Sequence, residues 1–359
     1  MPLTVVVGGQ YGSEGKGKMV SYLASRAPAE TLVVRCGGSN AGHTAEGPRR
    51  KALLRQLPSG AVFDDCRLFL AAGMQLDIDV LRAEIQQLAI SADRLTIDPN
   101  AVVIDAQARE LEQGQELLGR VASTMTGTGG AVARKVLRAR DLTLARDVPD
   151  LAPYLGDVSE QLWHGLVAGR QVIVEGTQGL GLSLHHGEYP FATSRDTSAA
   201  AFLSECGVPP TAVTEVIVVL RTYPIRVGGN SGPLYNEISW QSLQERSGYP
   251  VALAEYTTVT GRLRRVAEFD WALAEKAVRI NQPTALAIHG LDYVNYQDLG
   301  CRSFPALSER SQQFVGGLET RLGVPAPYLF TGPDGEALID RAAHSAYLHE
   351  RRATQAAAA

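Results

Sequence analysis

Short runs of consecutive apolar residues, closed by glycine or polar turns, recur along the chain. Val5-Val6-Val7, Thr31-Leu32-Val33-Val34-Arg35, Leu68-Phe69-Leu70-Ala71-Ala72, Val172-Ile173-Val174, the stretch from Glu215 to Arg221 and Ala285-Leu286-Ala287-Ile288 all have strand length. Apolar residues at successive rather than alternate positions mark strands covered on both faces, the pattern of a parallel sheet between helices. Residues 95–99 and 101–104 predict further strands. Between these runs the period turns helical. Val80, Leu81, Ile85 and Leu88 share one face of residues 79–88, Met19 to Ala27 continue a helix, Asp105 caps one reaching Leu118, and Trp271 to Asn281 form another. Strand, helix and strand across residues 5–35 make a parallel crossover unit. The expected fold class is α/β, a P-loop-like fold with a central, mostly parallel sheet flanked by helices. A chain of 359 residues can bury a large core as one domain or two. No repeat, low-complexity linker or clear boundary divides it, so residues 1–359 read as a single domain whose tail frays from about 353.

The first apolar run opens onto Gly8-Gly9-Gln10-Tyr11-Gly12-Ser13-Glu14-Gly15-Lys16-Gly17-Lys18. Glycines let successive backbone N–H groups face a ligand, Lys16 and Lys18 add positive charge, and a helix starting near Gly15 aims its positive end at the same point. That is a cradle for phosphate. Residues Gly12 to Lys18 match the Walker pattern, but Met19 stands where Ser or Thr would hold magnesium. The second strand runs into Cys36-Gly37-Gly38-Ser39-Asn40-Ala41-Gly42-His43-Thr44, at the kind of strand end where ligands gather. There His43 reads either as a structural hydrogen-bonder or as a catalytic group. Ser123 to Gly130 form a hydroxyl-rich glycine loop followed by Arg134, Lys135, Arg138 and Arg140, which fits either a second phosphate or a solvated helix face. Thr257 to Arg265 bring hydroxyls and three arginines together, a guest site for carboxylate or phosphate.

Composition narrows the guests. A net charge of −4 supplies no field for holding a nucleic-acid polymer, so any nucleotide is small. Cys36, Cys66, Cys206 and Cys301 are scattered and form no Cys-x-x-Cys pair, which argues against zinc and against a disulfide framework and suits a reducing cytoplasm. The adjacent His185 and His186 have no second cluster of ligands near them in sequence. No apolar run approaches the length that spans a bilayer, so no membrane partner is expected.

In order, GGQYGSEGKGK, GGSNAGHT, STMTGTGGAVARKVLR, VIVEGTQG, HHGEYPFATS, TTVTGRLRR and TGPD resemble the motifs of adenylosuccinate synthetase, across most of the chain. That family joins L-aspartate to a 6-oxopurine nucleotide through a 6-phosphoryl intermediate. The resemblance implies a donor triphosphate on Gly12, Glu14, Gly15, Lys16, Gly17 and Lys18, with Gly42, His43, Thr44, Arg264, Asp292, Gly332 and Pro333 completing that site. It implies an acceptor nucleotide on Ser13, Asn40, Ser123, Thr124, Gln178, Leu182, Thr193 and Arg262. Arg138 would reach the neighbouring subunit's nucleotide in a homodimer. L-Aspartate would sit on Thr258, Val259, Thr260, Gly261 and Arg262, Mg2+ on Ser13 and Gly42, and the catalytic set would be Ser13, Lys16, His43 and Gln178.

Two departures refine the resemblance. Ser13 stands where the family carries the Asp that serves as base and magnesium ligand, and the shorter side chain leaves room for a 2-amino group on the purine. In this the chain is similar to a viral branch, the 2-aminoadenylosuccinate synthetases, which use dGMP and would work in the host cytoplasm. Gly290 in His289-Gly290-Leu291-Asp292 stands where the family's guanine-reading lysine is usual, which points to ATP or dATP as donor, with GTP still possible. Two alternatives stand beside this reading: an ordinary enzyme using IMP, and an inactive nucleotide-binding regulator.

Overall fold

The computed structural model describes residues 2–257 and 261–341. Its main sheet has nine strands: β1 (Leu3–Gly8), β2 (Thr31–Arg35), β3 (Arg67–Leu70), β4 (Leu95–Ile97), β5 (Gln171–Glu175), β6 (Val213–Arg221), β7 (Ala285–His289), β8 (Tyr328–Phe330) and β9 (Leu338–Asp340). Across the sheet the order is β9-β8-β7-β6-β1-β5-β2-β3-β4, and every pairing is parallel except that of the edge strand β9 with β8. Strand β1 is central. Its neighbours β5 and β6 lead away to opposite halves, so the loop after β1 opens where connections diverge, the place where such sheets bind ligands.

The apolar runs are buried on both faces, as their unbroken pattern requires. Val5 and Val7 belong to one core with Leu32, Val34, Val172 and Val174, whereas Val6 joins Val33 and Ile173 in the other. Successive side chains point to opposite faces, so each strand feeds both layers. Helix α1 (Lys16–Ser25) covers the second core through Met19, Val20 and Leu23. The helix expected from residue 79 is α2 (Ile78–Leu88), with Asp77 accepting from the Val80 amide as its cap. Asp105 caps α3 (Ala106–Gly114) as expected, but that helix does not reach Leu118. Glu116 takes a left-handed φ of 53°, and a separate turn of helix follows at Leu117–Val121. The expected strand at 101–104 is only Val102–Val103, paired in parallel with Gln75–Leu76 outside the main sheet. After the hydroxyl-rich loop, α4 (Thr128–Val136) packs against α3. Helix α5 (Trp271–Asn281), capped by Asp270, has the predicted bounds. The tail expected to fray lies outside the described residues. Among the described residues no helix is long and apolar enough to cross a membrane.

Candidate active site

Two cavities meet over the C-terminal ends of the central strands. The larger, about 450 Å3, is lined by Ser13, Asn40, Ser123, Thr124, Gln178, Leu182 and Thr193, the residues expected around an acceptor nucleotide apart from Arg138 and Arg262. Its neighbour, about 290 Å3, is lined by Gly15, Lys16, Gly17, Lys18, His43 and Thr44. Gly12, Ser13, Gly42, Gln178 and Arg264 line both. The seam between the cavities is therefore where a group would pass from one guest to the other.

The β1–α1 loop is stiffened from within. Glu14 Oε1 accepts from the Gln10 amide at 3.0 Å and the Gly12 amide at 2.7 Å, and Lys16 Nζ lies 2.7 Å from Glu14 Oε2. Glu14 thus points into the protein and lines neither cavity. Lys16 Nζ also donates to the Gly12 carbonyl at 3.2 Å, which holds it over the loop. Gly15 has a φ of 98°, and a Cβ there would come within 2.6 Å of the His289 ring, so a side chain is barred on both counts. Lys18 Nζ donates to Gly332 O at 3.1 Å, tying the loop to the turn after β8. Burial, and next the Arg221 charge, push the Lys18 ammonium down to about 8.

His43 begins a short strand, His43–Glu46, paired antiparallel with Lys51–Leu54. Its Nδ1 lies 3.2 Å from Glu175 Oε1 and its Nε2 3.1 Å from Leu57 O. Burial and the Arg35 charge hold the imidazole well below its ordinary range, while burial pushes the Glu175 carboxyl up. A neutral imidazole has one N–H for these two oxygens. Ser59 N at 2.7 Å, Ser59 Oγ at 2.8 Å and Arg35 at 3.2 Å complete the Glu175 shell.

Sequence reasoning missed Glu175, Arg35, Arg221 and Glu255 as site residues. Three of these close buried strands: Arg35 ends β2, Glu175 ends β5 and Arg221 ends β6. A charge closing an apolar run was the available signal. Arg221 and Arg264 both pair with Glu255, Arg264 at 3.1 Å, and all three line the smaller cavity. Tyr293 OH donates to Glu255 Oε1 at 3.0 Å.

Other expectations fall differently. In the 123–130 loop the amides of Gly127 and Gly129 donate to Glu112 at 2.9 and 2.7 Å, so two of its N–H groups already hold a carboxylate. Arg134 pairs with Asp105 and Asp141, and Lys135 donates to the Ala72 and Asn100 carbonyls. Arg138 is exposed, lines neither cavity, and has a φ of 54°. Gly261, Arg262, Asp292, Gly332 and Pro333 also line neither. Thr257 N donates to Arg262 O at 2.9 Å. Thr258, Val259 and Thr260 lie outside the described residues.

The family model for adenylosuccinate synthetase matches residues 5–145 and 142–299. The chain belongs to the adenylosuccinate synthetase family. It is a carbon–nitrogen ligase. It is 40% identical over 344 residues to the adenylosuccinate synthetase of Methanococcus aeolicus, covering 95% of this chain and 99% of that protein. Identity to the Thermococcus sibiricus enzyme is also 40%, over 343 residues. Among solved structures, cyanophage S-2L succinoaminodeoxyadenylate synthetase bound to dGMP and dATP as an energy donor matches with a TM-score of 0.78 and 29% identity, covering 99% of each chain. Fully ligated adenylosuccinate synthetase from Plasmodium falciparum matches with a TM-score of 0.84 at 20% identity, over 95% of this chain and 100% of that one, and shares the fold. Among the described residues no group of three or more His, Cys, Asp or Glu is placed to hold a metal ion.

Proposed function

We propose that this synthetase joins L-aspartate to C6 of dGMP, with ATP or dATP as phosphoryl donor, giving N6-succino-2-amino-2'-deoxyadenylate. The γ-phosphoryl group would move to O6 of the purine, and the amine of aspartate would then displace phosphate from C6. Lys16 and His43 would stabilise charge on the moving group, Gln178 at the seam would orient the purine, and the arginines of the 257–265 loop would hold the aspartate carboxylates. Thr258, Val259, Thr260, Gly261 and Arg262 remain the proposed aspartate set.

One observation carries the dGMP reading. Ser13 lines both cavities with a short neutral side chain, and the neighbouring Glu14 carboxylate is turned inward onto Lys16 and cannot take over at the purine edge. The cyanophage neighbour bound to dGMP supports the same choice. IMP as acceptor is the second reading, favoured by 40% identity to archaeal adenylosuccinate synthetases. The two separate in a competition assay. The unmodified protein should prefer dGMP over IMP in kcat/KM by about tenfold or more, and Ser13→Asp should shrink that ratio by a similar factor. Comparable use of IMP and dGMP would reject the dGMP reading.

Magnesium, when bound, would neutralise charge on the transferring phosphoryl group. The Ser13 hydroxyl and the Gly42 carbonyl would hold it. Both are hard oxygen donors at the seam, and so few protein ligands suit an ion held mainly by phosphates and water.

The proposed assembly is a homodimer in which Arg138 reaches the partner's acceptor phosphate. Its exposed position beside Val136 and Leu137, 72% and 76% exposed, fits an arginine that works outside its own subunit. Mixing inactive Arg138→Leu and Lys16→Ala proteins should restore part of the activity, since one hybrid site carries neither lesion. No recovery after demonstrated subunit exchange would remove Arg138 from this role.

A further inference from the structure

We infer that Glu255 is a positioning residue that holds the Arg264 guanidinium at the seam between the two cavities and releases it to the anionic phosphoryl group that passes there, while Arg221 keeps Glu255 itself in place. The inference rests on the transfer step proposed above, but not on which purine accepts the group or which base the donor carries. Arg264 lines both cavities, whereas Glu255 and Arg221 line only the smaller one. Glu255 and Arg264 stand opposite each other on two adjacent legs of chain: Tyr256 and Leu263 form an antiparallel bridge, and Arg264 N donates to Glu255 O at 2.8 Å. The backbone thus brings the two side chains together, and Arg221 reaches them from the end of β6.

Four donors converge on the Glu255 carboxylate. Arg221 Nη2 donates to Oε1 and its Nη1 to Oε2 at 3.3 Å, Arg264 Nη1 donates to Oε2 at 3.1 Å, and Tyr293 OH to Oε1 at 3.0 Å. Burial alone would raise this carboxyl, but the Arg221 and Arg264 charges outweigh it and hold it below the usual carboxylate range. Glu255 is therefore a fixed anion. The two guanidiniums are held unequally. Arg221 makes two bonds to the carboxylate and a third to Ser13 O at 3.4 Å, and it lies 5.5 Å over the Tyr293 ring, whereas Arg264 makes a single bond to Glu255. Two cations sharing one carboxylate leave a positive charge over, and among the described residues the buried Nε atoms of both arginines have no partner. An anion arriving at the seam balances that charge. Arg264, with its one bond and its place on both cavity walls, is the arginine able to turn to it. Charge-assisted bonds to phosphoryl oxygen replace the bond it gives up, and Glu255 keeps three of its four donors.

Glu255→Gln in the full chain removes the anion that competes with a phosphoryl group for Arg264. ATP, and GTP in parallel, titrated onto this variant without acceptor should bind about tenfold more tightly than to the unmodified protein. Turnover should move the other way, with kcat lower by about tenfold or more, because the guanidinium is no longer placed before transfer begins. Binding that is unchanged or weaker, or a kcat that is kept, would overturn the inference. In an Arg264→Met background the same Glu255→Gln change should tighten binding by less than about threefold. Equal tightening with and without Arg264 would mean that Glu255 acts only as a nearby charge, and would overturn the inference as well. Turnover is read with dGMP and, in parallel, with IMP as acceptor, so failure of the dGMP reading still leaves a kcat to compare. A measurement on the unmodified protein covers the case in which Glu255→Gln does not fold. In a crystal structure with Mg2+ and a non-hydrolysable ATP analogue, Arg264 should donate to a phosphate oxygen while Arg221 still donates to Glu255. Arg264 still paired with Glu255 beside the bound analogue would overturn the inference.

Discussion

Lys16→Ala is expected to lower turnover by about 10²–10³-fold, the loss typical of removing one preorganised donor from a site of developing charge. Lys16 is the first residue of α1, lines the smaller cavity, and is fixed by Gly12 O and Glu14 Oε2. The same substitution should also destabilise the protein. Glu14 is 1% exposed, and losing Lys16 strips Oε2 of its partner while Oε1 keeps the Gln10 and Gly12 amides. Breaking a buried pair from one side costs about 3–5 kcal/mol. A double variant, Glu14→Gln with Lys16→Ala, removes the orphaned charge and should recover most of the stability without recovering turnover. Chemical denaturation together with steady-state kinetics checks both halves. Turnover that returns together with stability in the double variant would mean that Lys16 serves the loop and not the phosphoryl group.

His43→Gln should lower kcat by about 10²-fold or more while leaving the KM values for both nucleotides within a few-fold, as expected for a contact made chiefly in the transition state. His43 Nε2 faces Leu57 O, a weaker partner than an anionic phosphoryl oxygen would be. Glutamine can mimic one of its hydrogen bonds but not the two that the ring makes from opposite sides. If kcat falls less than tenfold, or if the whole loss lies in KM, His43 is a binding residue and not a stabiliser of the transfer.

Much of this could be read before the structure, because the relevant signals are local. Thr31–Arg35 and Trp271–Asn281 have the bounds their apolar pattern and caps indicate. The loop from Gly12 to Lys18 is legible because glycines and lysines between a strand and a helix have few other uses. What escaped the sequence is pairing over long distances. Nothing near residue 43 announces Glu175, and nothing near residue 264 announces Arg221, because these side chains meet only after parallel strands align their C-terminal ends. The same blindness affected the basic segment after Gly130. Its Arg134 is neutralised by Asp105 from a neighbouring helix cap, and its Lys135 reaches the backbone at residues 72 and 100. The helix expected to reach Leu118 stops early because Glu116 turns left-handed, which composition does not signal.

The dimer, the donor preference and the role of Ser13 all bear on one claim, that the larger cavity takes a purine carrying a 2-amino group. The most direct test is to incubate the protein with L-aspartate, ATP, Mg2+ and equal concentrations of dGMP and IMP, and to identify the products by mass. The succinylated 2-aminopurine deoxynucleotide should form first and in excess. Accumulation of adenylosuccinate with dGMP left untouched would contradict it.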